Sequence, residues 1–491
     1  MTRADAHAAP ATDDRIGWPV WRLALVIVFG AFASGLDASL VNIGLDTIGD
    51  DLHAGLAEVQ WVATAYIVAL AVSLPLCGWL GRRLGPGRLW LTALVAFTIS
   101  SGLCAAAPDV GWLIALRVVQ GLAAGLMVPA GQTIIGQAVG ATRLGRVMST
   151  LGIAVALAPA LGPVVGGLVL HALSWEWLFL INLPIGAIGL LLGLRYVPLG
   201  ERGGAAPLDW WGFLWIGGGL PLLVYALTTW SSAGSLAAWP VLAPLVLGVA
   251  GLTAFVLRTR RRANPLMDLG LYRRPVYVAA SGAAVFSGAL MFGVALVFPL
   301  YFEILHHDGV IGTGLRMLAL GVGTAVALPV TGRLTDRYGG GVVATWGSVS
   351  ALATTVVFLL VGADADADPV LIELLLVALG MAVAATAVPP GIAAYQTVRP
   401  HQLPDATTQV NIVQRIGGAL GGSLYTVALA NGLAVGEEHA FRGVFWWLIG
   451  TAVLALICSQ WLRITLRRAR DTAGGESAHP TRERLERTDE Q

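Results

Sequence analysis

The sequence predicts an all-α polytopic membrane protein of about fourteen transmembrane helices, arranged as two six-helix bundles with two helices inserted between them. Composition is the first ground. Of 491 residues, 56% are hydrophobic and 12% charged, where ordinary soluble domains carry about 25% charged residues. The second is that apolar runs of about 20 residues, each long enough to span a bilayer, recur along nearly the whole chain. The third is an internal doubling. "GWLGRRLG" begins at Gly78 and "GRLTDRYG" at Gly332, 254 residues on (332 − 78); "GPVVGG" begins at Gly162 and "GGALGG" at Gly417, 255 residues on (417 − 162). Two unrelated glycine motifs with nearly one offset imply six spans, a two-span insert, and six spans more.

The spans read 21–45, 59–80, 89–107, 111–137, 145–170 and 177–196, then the inserted 210–229 and 240–258, then 276–304, 311–331, 341–362, 370–396, 405–433 and 443–463. With their flanks they divide the chain into an N-terminal tail (1–19), a first bundle (20–196), a linker with inserted helices seven and eight (197–275), a second bundle (276–463) and a C-terminal tail (464–491). The tail beyond Asp471 is polar enough to predict disorder. Span one is too long for a signal-peptide core and has no clear cleavage site, so it is expected to be retained.

All 30 basic residues are arginine. Without lysine there is no P-loop and no imine chemistry. The arginines gather on one side: Arg3, Arg15 and Arg22; Arg82, Arg83 and Arg88; Arg143 and Arg146; Arg195 and Arg202; Arg258 to Arg274; Arg333 and Arg337; Arg399; and the tail from Arg463. The other side collects acids, among them Asp50, Asp51, Asp109, Asp308 and Glu437, with Arg442 the exception. Positive residues stay inside, so both termini are expected in the cytoplasm and the chain in the cell's inner membrane. Cys77, Cys104 and Cys458 are scattered through apolar runs, which suits small core residues and no disulfide framework.

Several of these stretches together resemble the major facilitator superfamily, specifically its fourteen-helix drug:proton antiporter branch. "LDASLVNIGLD" (Leu36 to Asp46) is similar to that branch's first-helix motif, with Asp46 where proline is usual; "RVVQG" (Arg117 to Gly121) to the fourth-helix motif; "GPVVGG" to the fifth-helix antiporter motif; and "WEWLFLINLPIG" to the start of helix six, with Glu176 where arginine is common. In the loop motif Gly78, Arg83, Gly85 and Arg88 fit, but Arg82 occupies the usual aspartate position; the second copy keeps Gly332, Asp336, Arg337 and Gly339, with Gly340 and Gly341 replacing basic residues. The resemblance implies a major facilitator fold and multidrug efflux, hence antibiotic resistance, by alternating access. Protons would be the coupling ion, with no other cofactor and no metal. It also implies a lopsided charge lock at Arg82, and conformational roles for Pro159, Gly162, Pro163, Gly166 and Gly167.

Asp37 and Arg117 lie eight and six residues below the outer ends of spans one and four, roughly 9–12 Å deep at 1.5 Å per residue. Equal depth permits contact. An apolar site favours a neutral carboxyl and a guanidinium favours the charged one, so moving Arg117 would switch proton affinity; the alternative is a permanent structural pair. Glu303 is a further proton-coupling candidate beside His306, His307 and Asp308, a set whose spacing suits a solvated outer turn better than one metal ion. Arg415, with Gln409, Asn411 and Gln414, falls near the midplane and either lines a path or satisfies backbone carbonyls. Asn42, Tyr66, Gln120, Met127, Phe292, Tyr395 and Asn411 complete the candidate cavity, since polarizable and aromatic groups suit promiscuous ligands. The expected cargo is an amphipathic small molecule, cationic ones included; a lipid, one dedicated metabolite, or a channel function are the rivals. No nucleophile–base constellation suggests an enzyme. Partners reduce to the bilayer, with anionic lipid at Arg258–Arg262; no nucleic acid is expected, and the chain is expected to be a monomer.

Overall fold

The computed structural model describes residues 16–140, 143–204, 207–233, 235–361 and 368–486. They form helices α1 (Trp18–Asp51), α2 (Leu56–Ser73), α3 (Leu76–Leu84), α4 (Pro86–Ala105), α5 (Val110–Val139), α6 (Leu144–Ala172), α7 (Trp177–Leu180), α8 (Asn182–Tyr196), α9 (Trp210–Ala233), α10 (Trp239–Thr259), α11 (Pro275–Leu300), α12 (Val310–Tyr338), α13 (Gly340–Val361), α14 (Pro369–Gln396), α15 (Leu403–Leu433) and α16 (Glu437–Glu486). Twelve described segments are long and apolar enough to cross a membrane. Helices α6 and α15, with 29 and 31 residues, have the length as well.

Three expected spans are interrupted. The second breaks into α2 and α3 at Leu74–Pro75, where proline has no N–H to give. The sixth breaks at Ile181 into α7 and α8. The ninth ends in one π-helical turn, Tyr301–Leu305, after Pro299. At the C-terminus the membrane-crossing part of α16 is Glu437–Asp471. The helix then continues to Glu486, where composition alone predicts disorder. Extending an existing helix needs no new nucleus, which is the physical reason for the difference.

The doubled glycines explain the packing. In the first half α1 lies along α6; in the second, α11 lies along α15. A Cβ on Gly162 of α6 would sit 2.0 Å from Ser39 Oγ on α1, and one on Gly417 of α15 would sit 1.9 Å from the Val285 carbonyl of α11. These glycines therefore bring helices into close contact. The inserted pair is an antiparallel hairpin whose α9 lies against both α2 and α15, so it bridges the two halves. Asp209 joins its ends, accepting from Gly212 N–H (3.2 Å) and from Arg258 (2.9 and 3.1 Å). Although burial opposes its charge, these donors hold the Asp209 carboxyl below the usual range.

One face of the molecule gathers the start of α1 and the Arg470 region of α16. Arg22 stacks 4.0 Å over the Tyr196 ring, Arg470 of α16 reaches Gly339, and the turn at Gly85 meets Leu199 and Gly200. This is called the terminal face below.

Candidate functional site

Asp37 and Arg117 meet, as their equal depth predicts. Their side chains are 0% and 1% exposed and Arg117 Nη1 lies 2.5 Å from Asp37 Oδ2. Burying both charges is costly unless the remaining hydrogen-bonding capacity is filled, and here it is. Asp37 Oδ1 accepts from Gln120 Nε2 (3.0 Å) and Asn182 Nδ2 (2.7 Å). Arg117 also donates to Gln120 Oε1 (2.7 Å) and the Val62 carbonyl (3.0 Å), and stacks 4.1 Å over Tyr66. Asn182 donates on to Ser101, which donates to the Phe179 carbonyl. Five helices of the first half, α1, α2, α4, α5 and α8, thus converge on one carboxylate. Chemically this is a buried carboxylate whose charge is answered by one guanidinium and two amide donors.

The halves are joined by hydrogen bonds that gather towards the terminal face. Deepest is Gln132 Oε1 of α5, which accepts from Asn411 Nδ2 (2.7 Å) and the Tyr395 hydroxyl (3.3 Å). Next come the Thr133–Thr407 pair at 3.0 Å and Gln137 Nε2 on the Pro400 carbonyl at 3.3 Å. The two loop motifs close the end. Arg82 is ion-paired with Asp405 and donates to the Leu266 carbonyl (3.1 Å). Asp336 accepts from the backbone N–H of Gly145 (2.7 Å) and Arg146 (3.1 Å). A Cβ on Gly78 would lie 2.3 Å from Asp405 Oδ1, and one on Gly332 2.5 Å from Ser149 Oγ, so both motif glycines are points of close approach. Gly85 (φ 88°) and Gly339 (φ 91°) make equivalent left-handed turns. The charge lock is intact, with its signs exchanged at Arg82.

The other candidates divide. Tyr66 and Gln120 are buried parts of the Asp37 network, Tyr66 donating to the Ser34 carbonyl at 3.0 Å. Asn411 and Tyr395 belong to the seam. Met127 does not line a cavity: it is wholly buried inside the first half beside Trp90 and the space next to Gly30. Helix α5 is apolar on nearly every side, so spacing could not tell its inner face from its cavity face. Asn42 is exposed on α1, and Phe292 is half-exposed against Gly418. Glu303 is exposed on the π turn, in the second half and away from the Asp37 network. Nearby, His306 bonds the Tyr301 hydroxyl (2.8 Å) and Asp308 pairs with Arg316 (2.5 Å). Gly166 lies close to Leu40 and Ile43, whereas Gly167 faces open space. Arg83 and Arg337 each lie near an aromatic ring, Trp79 and Tyr338. The side chains of Pro159 and Pro163 lie outside the described residues. Sequence reasoning missed Asn182, Ser101 and Gln132. The available signal was a polar residue within an apolar run.

Two helical halves joined at one face, with a buried charge pair inside the first half and broken helices beside it, fit the pattern of secondary membrane transporters. The Major Facilitator Superfamily profile matches residues 27–422, and the chain belongs to that family. It is 32% identical over 418 residues to the Multidrug resistance protein B homolog of Mycobacterium tuberculosis, covering 85% of this chain and 77% of that one. It is 29% identical over 329 residues to the Putative multidrug resistance protein MdtD of Klebsiella pneumoniae, covering 66% and 68%. Among solved structures it is similar in fold to the proton:xylose symporter XylE, with a TM-score of 0.63 at 15% identity, covering 89% of this chain and 94% of that one.

Proposed function

We propose that this transporter is a proton-coupled antiporter that exports amphipathic small molecules across the inner membrane by alternating access, with both termini cytoplasmic. The observation that carries the reading is Asp37, fully buried and held by Arg117, Gln120 and Asn182 from two other helices. Intramembrane carboxylates of this kind mark proton relays. When the halves rock, any displacement of Arg117 exchanges its charge for a proton on Asp37. Each charge moved through 100 mV supplies about 2.3 kcal/mol, more than the roughly 1.4 kcal/mol a tenfold concentration ratio requires. The relatives named for multidrug resistance support an exported cargo. On this reading the sealed terminal face is the cytoplasmic one, so the conformation faces outward. The protein works as a monomer, and anionic lipid contacts its basic terminal face, where Arg146 and Arg333 line a cleft with Trp21 and Ile153.

The test is transport in proteoliposomes under an imposed pH gradient. Asp37→Asn should insert and elute as the parent does yet lose gradient-driven transport. Transport by that variant with undiminished pH dependence would defeat the proposal.

A further inference from the structure

Arg415 is the charged group that the network and the seam leave unused. On α15, Thr407, Asn411 and Arg415 recur every four residues and so share one face. Thr407 bonds Thr133 and Asn411 bonds Gln132, both on α5 of the first half. That face therefore looks across to the first half, and Arg415 lies one turn beyond the Asn411–Gln132 bond of the seam. Its position, 12 residues after Leu403, is about 18 Å along the helix. The side chain is half-buried and makes no hydrogen bond or ion pair among the described residues. It lies near enough to the Tyr66 phenol to act on it electrostatically. Tyr66 is also the ring that covers Arg117, so one aromatic is in reach of both guanidinium groups.

The charge balance at this depth is uneven. Asp37 is already matched by Arg117, and Asp405, lower on α15, is matched by Arg82. Arg415 is left with no acid, which is costly inside a membrane unless a ligand or water answers it. A guanidinium fork suits a planar carboxylate or the oxygens of a phosphate or sulfonate.

We infer that the cargo carries an anionic group, a carboxylate or another oxyanion, which pairs with Arg415 while its apolar body lies in the space between the halves. This deepens the export reading and rests on it for direction only. It narrows the expected amphipathic cargo, cationic ones included, to anionic compounds, because a cation would meet the unpaired charge of Arg415.

The test is equilibrium binding to the purified full-length protein in a neutral maltoside detergent, read by tryptophan fluorescence. The probes are naphthylbutyrate, its amide and naphthylbutylamine, which share one apolar body. The carboxylate should bind about tenfold or more tightly than the amide, and the amine more weakly than either. Arg415→Gln should bring the carboxylate down to the amide, and Arg415→Lys should recover part of the difference. Equal binding of all three probes, or an Arg415→Gln variant that weakens all three alike while eluting as the parent does, overturns the inference. Binding needs no gradient, so it is separate from proton coupling. Charge-selective binding with no gradient-driven transport sinks the antiport reading and leaves this one standing, and the reverse result does the opposite.

Discussion

Removing Arg82 should open the terminal face. The Arg82 side chain is 30% exposed and that of Asp405 6%, so the pair is neither a free surface bridge nor a dry one. Exposed pairs contribute about 0–1 kcal/mol and hydrogen bonds to charged groups about 1.5–3 kcal/mol. A value of about 1–2 kcal/mol fits one nearly buried partner, and changes the closed-to-open ratio roughly 5–30-fold. The two single changes should differ. Arg82→Ala strands a buried carboxylate, whereas Asp405→Asn leaves an arginine that still reaches the Leu266 carbonyl and water; Arg82→Ala should therefore open more. The exchange R82D/D405R should restore part of the closed population. Spin labels at Gln137→Cys and His401→Cys flank the Gln137–Pro400 bond across the seam, in a background lacking Cys77, Cys104 and Cys458. Double electron–electron resonance should show one short distance in the parent and a growing longer one in Arg82→Ala. Identical distance distributions in parent and Arg82→Ala, or no recovery on exchange, would refute the reasoning.

Gly417→Ala should destabilise more than Gly162→Ala, because its methyl meets a backbone carbonyl at 1.9 Å while that of Gly162 meets a serine side chain that can turn; overpacking costs about 1–3 kcal/mol, and melting temperatures in detergent would rank the two. Asn182→Leu removes one of three donors to Asp37 and the link to Ser101, so a loss of about 1–3 kcal/mol of stability should accompany weakened gradient-driven transport. Burial, then Arg316, holds the His306 imidazole below its ordinary value. The unfolded chain therefore takes up that proton at higher pH than the folded one, and stability falls as pH drops through about 6.5 until folded His306 protonates too. The parent's melting temperature should fall further between about pH 7.5 and 5.5 than that of His306→Gln; equal falls would show that His306 is not responsible.

Much of this architecture was legible because a bilayer admits few solutions. Every apolar run long enough to cross had to be a helix, and the doubled glycine motifs announced two halves. Asp37 and Arg117 could be matched by depth alone, since charges at one level in separate helices have few alternatives. What depth cannot supply is rotation. Met127 and Gln132 are five residues apart on α5, yet the first packs against Trp90 and the second bridges to the other half. With both faces apolar, no periodicity separated them. Breaks were equally hidden: Pro75 sits in plain view, but an apolar run reads as continuous on either side of it. Among the motif glycines, the Cβ clearances show close contact at Gly162, Gly166 and Gly417 and open space at Gly167.

The exchanged charge at Arg82 is the departure with the most physics in it. A lock missing its loop aspartate would be expected to lose its electrostatic half. Instead the acid has moved to the helix it needs to hold. Asp405 stands in the first turn of α15, where unpaired amides and the helix dipole favour a carboxylate. In the other half, Asp336 lies on the first amides of α6, at Gly145 and Arg146. Both seams therefore place negative charge at the start of a helix that faces the terminal side. In one it comes from within the helix and is answered by an arginine across the seam. In the other it comes from across the seam and is answered by two backbone amides, with the Arg146 side chain 3.6 Å away. The first depends on a side chain that also holds the Leu266 carbonyl of the linker, and Gln409 and Gln402 fasten the same linker through Asp268. Opening the Arg82 seam must thus also break the Arg82 bond to the Leu266 carbonyl and leave the linker held by the second half through Gln402 and Gln409, whereas opening the Asp336 seam need not. Two similar motifs in the chain therefore support unequal seams, and the linker from the inserted helices is bonded at the one with the reversed charge.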